Sequence, residues 1–112
     1  MIEDYFQLIV CTCPDEATAQ LIAEQLVDKH QAACVSILPG VTSVYRWQGA
    51  VESTQEHMLF VKTTTEHYNK LEATILELHP YELPEIIAVP IADGLAGYLS
   101  WIDDSLGNQA IG

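Results

Sequence analysis

Basic residues are scarce in this chain: four lysine and arginine residues stand against sixteen aspartate and glutamate residues, for a formal charge of -12 over 112 residues. Binding to nucleic acid or to an anionic membrane surface depends on clustered positive charge, which this sequence lacks. We therefore expect no nucleic-acid partner and no membrane partner. The acidity favours cations as partners instead.

Long apolar runs are also missing, and cysteine is limited to three residues. No segment approaches the ~20 apolar residues that a membrane-spanning helix needs, and the start of the sequence has no basic region typical of a secretory signal. An odd number of cysteines without such a signal indicates reduced thiols rather than a disulfide framework. We expect a cytoplasmic protein. With 49% hydrophobic residues, the sequence predicts one domain with a real core over residues 1–112.

The most informative feature present is a hairpin over residues 33–64. Residues 33–47 are apolar or β-branched almost throughout, apart from Pro39-Gly40, and the chain returns after a turn at residues 48–50. At about 3.3 Å per residue the outgoing strand reaches roughly 50 Å, whereas a compact domain of this length is about 34 Å across. Part of the hairpin must overhang, and its exposed edge predicts pairing with other copies of the chain. Tyr45, Arg46 and Trp47, near the tip, are the expected interface residues.

The remaining segments complete an α+β pattern. The sequence predicts a central strand at residues 6–12, a helix beginning at residues 14–16, a second helix from residue 65 to His79-Pro80, a strand at residues 86–91 and a helix after residue 94. Pro90 indicates that the last strand lies at an edge or a bulge. This order is that of the ferredoxin-like βαββαβ sandwich, with an extra C-terminal helix. The tail after Gly107 is expected to fray.

The predicted topology decides which reactive side chains can meet. Cys11 lies near the end of the first strand and His79 at the end of the second helix, so both fall at the same end of the fold. Cys34 begins a strand at the opposite end. Cys13 shares a strand face with Cys11 if the first strand continues that far. The remaining histidines, His30, His57 and His67, have no partner at ligand spacing and are expected to face solvent.

Several blocks of the sequence together resemble the CutA family of divalent-cation tolerance proteins. They are AACVSILPGVTSVYRWQG at residues 32–49, CPDEATA at 13–19, VKTT at 61–64, HPYELPEI at 79–86 and YLSWI at 98–102. The blocks stand in family order and cover essentially the whole chain. The resemblance implies a homotrimer of ferredoxin-like subunits, similar in architecture to the PII signalling proteins, and an association with tolerance to copper and other heavy metals.

The resemblance also implies a metal site at Cys11 and His79. A thiolate with an imidazole suits copper or zinc. Some members carry a second histidine where this chain has Leu78, so Glu82 or a neighbouring chain would have to complete the ligand shell. A buried strand cysteine is otherwise a small apolar residue, and this alternative applies to Cys11, Cys13 and Cys34 alike.

Two function classes stay open, and catalysis is not expected. One is a cytosolic homotrimer that binds divalent cations such as copper and contributes to heavy-metal tolerance. The other is a PII-like signalling or scaffold trimer that binds a small molecule or partner protein at clefts between subunits. His79, Tyr81 and Glu82 include acid and base groups, but the two neighbouring prolines favour a stiff crossover with Tyr81 at a subunit boundary. The sequence has no nucleophile or phosphate-binding motif, which argues against an enzyme.

Overall fold

The fold is a four-stranded antiparallel sheet with two helices packed on one face and a third helix that forms a separate, smaller cluster. The computed structural model describes residues 5–107. The elements in chain order are β1 (Phe6–Cys13), α1 (Glu16–Asp28), β2 (Cys34–Trp47), β3 (Ala50–Thr64), α2 (Tyr68–Leu78), β4 (Ile86–Pro90) and α3 (Ala96–Ser105). The strand order β2-β3-β1-β4 confirms the predicted ferredoxin-like arrangement with its additional C-terminal helix. The expected fraying after Gly107 concerns residues outside the described range.

The main core lies between the sheet and the helices α1 and α2. Asp15 begins α1, because its side chain accepts a hydrogen bond from the backbone N–H of Thr18 at 2.8 Å. The apolar positions of α1 at helical spacing are buried, as are the inward side chains of β1, β3 and α2. The core residues from these elements are Ile9, Cys11, Cys13, Ala19, Ile22, Leu26, Leu59, Val61, Leu71 and Ile75. The thiols of β1 therefore lie in the core, on the helix-covered face of the sheet.

The β2–β3 hairpin extends beyond this core, as the sequence predicted. The molecule measures 51 × 26 × 22 Å, so its long axis exceeds its width about twofold. The strand pairing shifts between Leu38 and Val41, at the predicted Pro39-Gly40 interruption, and Gly40 takes a φ of 71° that favours glycine. Towards the tip beyond this bulge the side chains of residues 44–47 are exposed, with Trp47 at 57%. The edge of β2 is unpaired within the described chain.

The C-terminal helix packs less completely than its apolar spacing predicts. Ile102 and Leu106 are buried in a small second cluster with Ala33. Leu95, Tyr98 and Ile102 recur at helical spacing in the sequence, which predicts one buried face. Leu95 instead precedes the helix and is 79% exposed, and Tyr98 is exposed as well. An apolar strip is therefore left on the surface. No helix in the described part of the chain is long and apolar enough to cross a membrane.

Candidate metal centre

Three potential metal ligands meet where β1 ends. One ligand atom from each of Cys11, Cys13 and His79 lies within 4.8 Å of the others, and all three residues are buried. Alternation along β1 places the two cysteines on the same sheet face, because residues two apart in a strand point the same way. The helix α2 ends at Leu78, ahead of Pro80, and this brings His79 over the strand end.

Two hydrogen bonds fix the imidazole of His79 against the strand. Its Nε2–H donates to the backbone carbonyl of Thr12 at 2.7 Å, and its Nδ1 accepts from the backbone N–H of Tyr81 at 3.2 Å. This pattern requires the neutral ring with its proton on Nε2. A metal ion bound at either nitrogen would replace one of these bonds, and the other would orient the ring.

The thiols of Cys11 and Cys13 shift each other's pKa in opposite directions. A hydrogen bond with Cys13, reinforced by burial, raises the pKa of Cys11 above its ordinary value. The same hydrogen bond lowers the pKa of Cys13. The Cys11 thiol also lies 3.8 Å from the backbone carbonyl of Thr12, to which it can donate. Cys13 is therefore the thiol that ionises first, with Cys11 donating to it.

This donor set fits a soft or borderline metal ion. Two sulfurs and one imidazole nitrogen are ligands that zinc and copper accept. Ligand atoms around a tetrahedral zinc ion lie roughly 3.5–3.8 Å apart, as follows from metal distances of about 2.3 Å to sulfur and about 2.0 Å to nitrogen. The separation of at most 4.8 Å between the three donors needs a contraction of about 1 Å.

The predicted metal residues have different locations in the fold. Cys11 and His79 lie together as expected, and Cys13 joins them because β1 continues to residue 13. Glu82 is exposed on the loop between α2 and β4, outside the cluster of three donors. Cys34 begins β2 at the other end of the sheet.

His57 departs from the expectation of a solvent-facing residue. It is half-buried and lies directly opposite Cys13 on the neighbouring strand β3. Its Nδ1 atom is buried and has no hydrogen-bond partner among residues 5–107. The pairing register of β1 with β3 produces this contact, and no sequence spacing shows it.

The predicted interface residues lie around a second feature, an open cavity of about 880 Å³. Tyr45 and Trp47 line it from the hairpin, and Tyr81 and Glu82 from the loop after α2, while Arg46 is exposed on the hairpin. Its wall combines three acidic residues, three aromatic residues and the apolar Val44 and Leu83; the acidic and aromatic ones are Glu56, Glu82, Glu85, Tyr45, Trp47 and Tyr81.

Tyr81 is tied to a buried carboxylate in that wall. Its hydroxyl donates to Glu56 at 2.9 Å, and Glu56 is only 7% exposed. Burial, followed by this hydrogen bond, raises the pKa of Tyr81 to about 12. The loop that carries His79 is therefore attached to β3.

Replacing Tyr81 by phenylalanine is expected to lower the free energy of unfolding by about 1–3 kcal/mol, because the buried Glu56 loses this donor. Tyr68→Phe is the matched control. It removes an equivalent bond to Glu72, which is less deeply buried, so its effect is expected to be below about 1 kcal/mol. Urea unfolding of both variants measures the difference. Equal effects would mean that the Tyr81–Glu56 hydrogen bond stabilises the fold no more than the Tyr68–Glu72 bond does.

Comparison with known proteins gives a consistent result. The model of the CutA1 divalent ion tolerance protein family matches residues 7–105. The divalent-cation tolerance protein CutA of Thermus thermophilus is 48% identical over 101 residues, which cover 90% of this chain and 98% of that protein.

Solved structures agree with this match in fold. The crystal structure of CutA from Xylella fastidiosa superimposes with a TM-score of 0.88 at 48% identity, covering 90% of this chain and 97% of that one. The periplasmic divalent cation tolerance protein CutA from Archaeoglobus fulgidus gives 0.87 at 36% identity, with 90% and 98% covered. The resemblance noted in the sequence is thereby confirmed, and the chain belongs to the CutA1 divalent ion tolerance protein family, a family of non-enzymatic metal tolerance proteins.

Proposed function

We propose that this protein is a cytoplasmic homotrimer that binds copper or zinc through Cys11, Cys13 and His79 and thereby contributes to heavy-metal tolerance. The observation that carries the proposal is the convergence of three buried donor atoms within 4.8 Å. Thiolate and imidazole are chemically selective for such ions over calcium and magnesium, which prefer oxygen. A tetrahedral ion would need a fourth donor, and the carboxylate of Glu82 or a residue of a neighbouring chain is a candidate.

The homotrimer is supported by surface that a single chain leaves uncovered. The overhanging hairpin exposes Val44, Trp47 and Val51, and its β2 edge is free to pair. The strip on α3 adds Tyr98 and Trp101, whose rings stack at 5.5 Å. Exposed apolar surface on separate elements is typical of an obligate interface.

The cytoplasmic location is supported by the cysteines. All three are free thiols, and two are buried where a metal rather than a disulfide partner would meet them. A reducing compartment keeps such thiols available as ligands.

The metal site is tested by chelator competition under anaerobic, reducing conditions, with zinc(II) and copper(I) titrated separately. Cys11→Ser and His79→Ala are each expected to weaken binding at least about tenfold, since each removes one of few strong ligands. Cys34→Ser is the matched control and is expected to bind as the wild type does, because Cys34 lies at the opposite end of the sheet. Each variant is first checked for an unchanged oligomeric mass and melting temperature. Unchanged binding in both Cys11→Ser and His79→Ala would contradict the proposal.

A second function, binding of a small molecule or partner protein by a PII-like signalling or scaffold trimer, is favoured by the cavity of about 880 Å³. It is large enough for an organic ligand and lies beside the hairpin expected at the subunit boundary. Native mass spectrometry of the protein purified from its own cytosol distinguishes the two functions. A retained metal favours the first, and a retained organic ligand favours the second.

A further inference from the structure

We propose that His57 supplies the fourth protein ligand, so that the bound ion is enclosed by Cys11, Cys13, His57 and His79. This inference rests on the proposed function and specifies its metal class. A complete set of two thiolates and two imidazoles suits tetrahedral thiophilic ions such as zinc(II) and cadmium(II). It would hold the ion without an open coordination position.

The strand register places His57 beside the thiols. In the antiparallel pair β1–β3, His57 is opposite Cys13 and Leu59 is opposite Cys11. Directly opposite residues point to the same face, with Cβ atoms about 4.5–5.5 Å apart. Leu59 is fully buried in the core between sheet and helices, so His57 lies on that same helix-covered face. The ring nitrogens of His57 lie outside the cluster of three donors in the structure, so a change of side-chain rotamer would be needed to bring this imidazole to a metal held by Cys13.

His57 also has a free donor atom for a metal. Its Nδ1 is buried and accepts or donates no hydrogen bond within the part of the chain that the structure describes. A buried ring nitrogen without a hydrogen-bond partner destabilises the folded state. A metal ion at this nitrogen would remove that penalty. In contrast, both nitrogens of His79 already have hydrogen-bond partners. A metal ion would therefore displace a hydrogen bond at His79 but none at Nδ1 of His57.

A carboxylate in the surroundings of His57 could orient its ring in the metal-bound state. Asp15, directly before α1, lies close enough for its charge to interact with that of His57. Carboxylates commonly accept the second N–H of a metal-bound histidine and fix its ring. Asp15 already accepts a hydrogen bond from Thr18 through Oδ1, so its position is fixed by the helix start.

Glu82 is a weaker candidate for the fourth position. It is exposed and lines the open cavity together with Thr12 and Glu56. The side chain of Thr12 alternates with those of Cys11 and Cys13, so this wall lies on the opposite face of the sheet from the thiols. The register thus favours His57 over Glu82.

The test uses the intact oligomer loaded with zinc(II). X-ray absorption at the zinc edge is expected to give two sulfur and two imidazole ligands for the wild type, and one imidazole for His57→Val. Chelator competition is expected to show binding at least about tenfold weaker in His57→Val. His57→Gln, which keeps a polar side chain, is expected to show the same loss. His30→Asn is the matched control, because it removes a histidine at φ 58°, a conformation that asparagine tolerates, at the other end of α1.

The outcomes separate this inference from the proposed function. One imidazole in the wild type, with unchanged affinity in His57→Val and a loss in Cys11→Ser, would overturn the role of His57 alone. A loss in Glu82→Gln without a loss in His57→Val would also overturn it and assign the fourth position to Glu82. Zinc binding that is unchanged in both Cys11→Ser and His79→Ala would overturn the proposed function and this inference together. Melting temperatures of all variants without metal identify any folding defect.

Discussion

Replacing Trp47 by alanine is expected to weaken assembly of the trimer by more than about 2 kcal/mol, because a large aromatic at the centre of an interface contributes far more than a charge at its rim. Trp47 ends β2 at the tip of the overhanging hairpin and is 57% exposed in the single chain. The indole would be buried on assembly. Sedimentation equilibrium at micromolar concentration is expected to give three times the 12.4 kDa chain mass for the wild type and a mixture with smaller species for Trp47→Ala.

The control for Trp47 has to be an exposed charge on the same hairpin. Glu52 meets this requirement, since it is exposed and lies opposite Tyr45 across the hairpin. Glu56 does not, because it is buried and bonded to Tyr81. Glu52→Ala is expected to leave the assembly unchanged. A wild type that sediments as a monomer would contradict the trimer, and equal effects of the two variants would place Trp47 outside the interface.

The fold was predictable because it follows from the local spacing of apolar residues and from the lengths of the predicted strands. Helical spacing in α1 identifies Ile22 and Leu26 as core residues, and both are fully buried. Pro80 limits α2, and the length of β2 alone requires the overhang seen in the 51 Å long axis. The exposure of Leu95 was not predictable, because apolar spacing shows that a face is covered but not whether the same chain covers it.

The candidate site was predictable only in part, because its geometry depends on strand register. The topology was sufficient to bring Cys11 and His79 to one end, since it fixes the direction of each element. Whether Cys13 joins them depends on whether β1 includes one more residue, and element ends are the least certain part of a sequence prediction. The position of His57 depends on the register in which β1 pairs with β3. A one-residue slip in that register would turn the His57 side chain to the other face of the sheet.

Zinc is expected to stabilise the folded protein strongly through Cys13. An ion at 1,000 times its dissociation constant adds about 4 kcal/mol per site to the free energy of unfolding, when it binds the folded state only. For a domain of this size such a gain raises the melting temperature by more than about 10 °C. If Cys13→Ser weakens binding roughly 100-fold, the same zinc concentration would add only about 1.4 kcal/mol. Thermal unfolding with zinc and with EDTA, at constant protein concentration, measures both values.

Two controls make the zinc result specific to the thiols. Calcium at the same concentration binds carboxylates but not thiolates, so any stabilisation by calcium gives the contribution of the acidic surface, which carries a net charge of -12 per chain. Cys34→Ser is expected to keep the full zinc effect, because Cys34 lies at the start of β2, away from the cluster. Retention of the full effect in Cys13→Ser, with its loss in Cys11→Ser, would show that the metal is held by Cys11 and His79 without Cys13. The continuation of β1 to residue 13 would then serve the core alone, where Cys13 packs as a small apolar side chain.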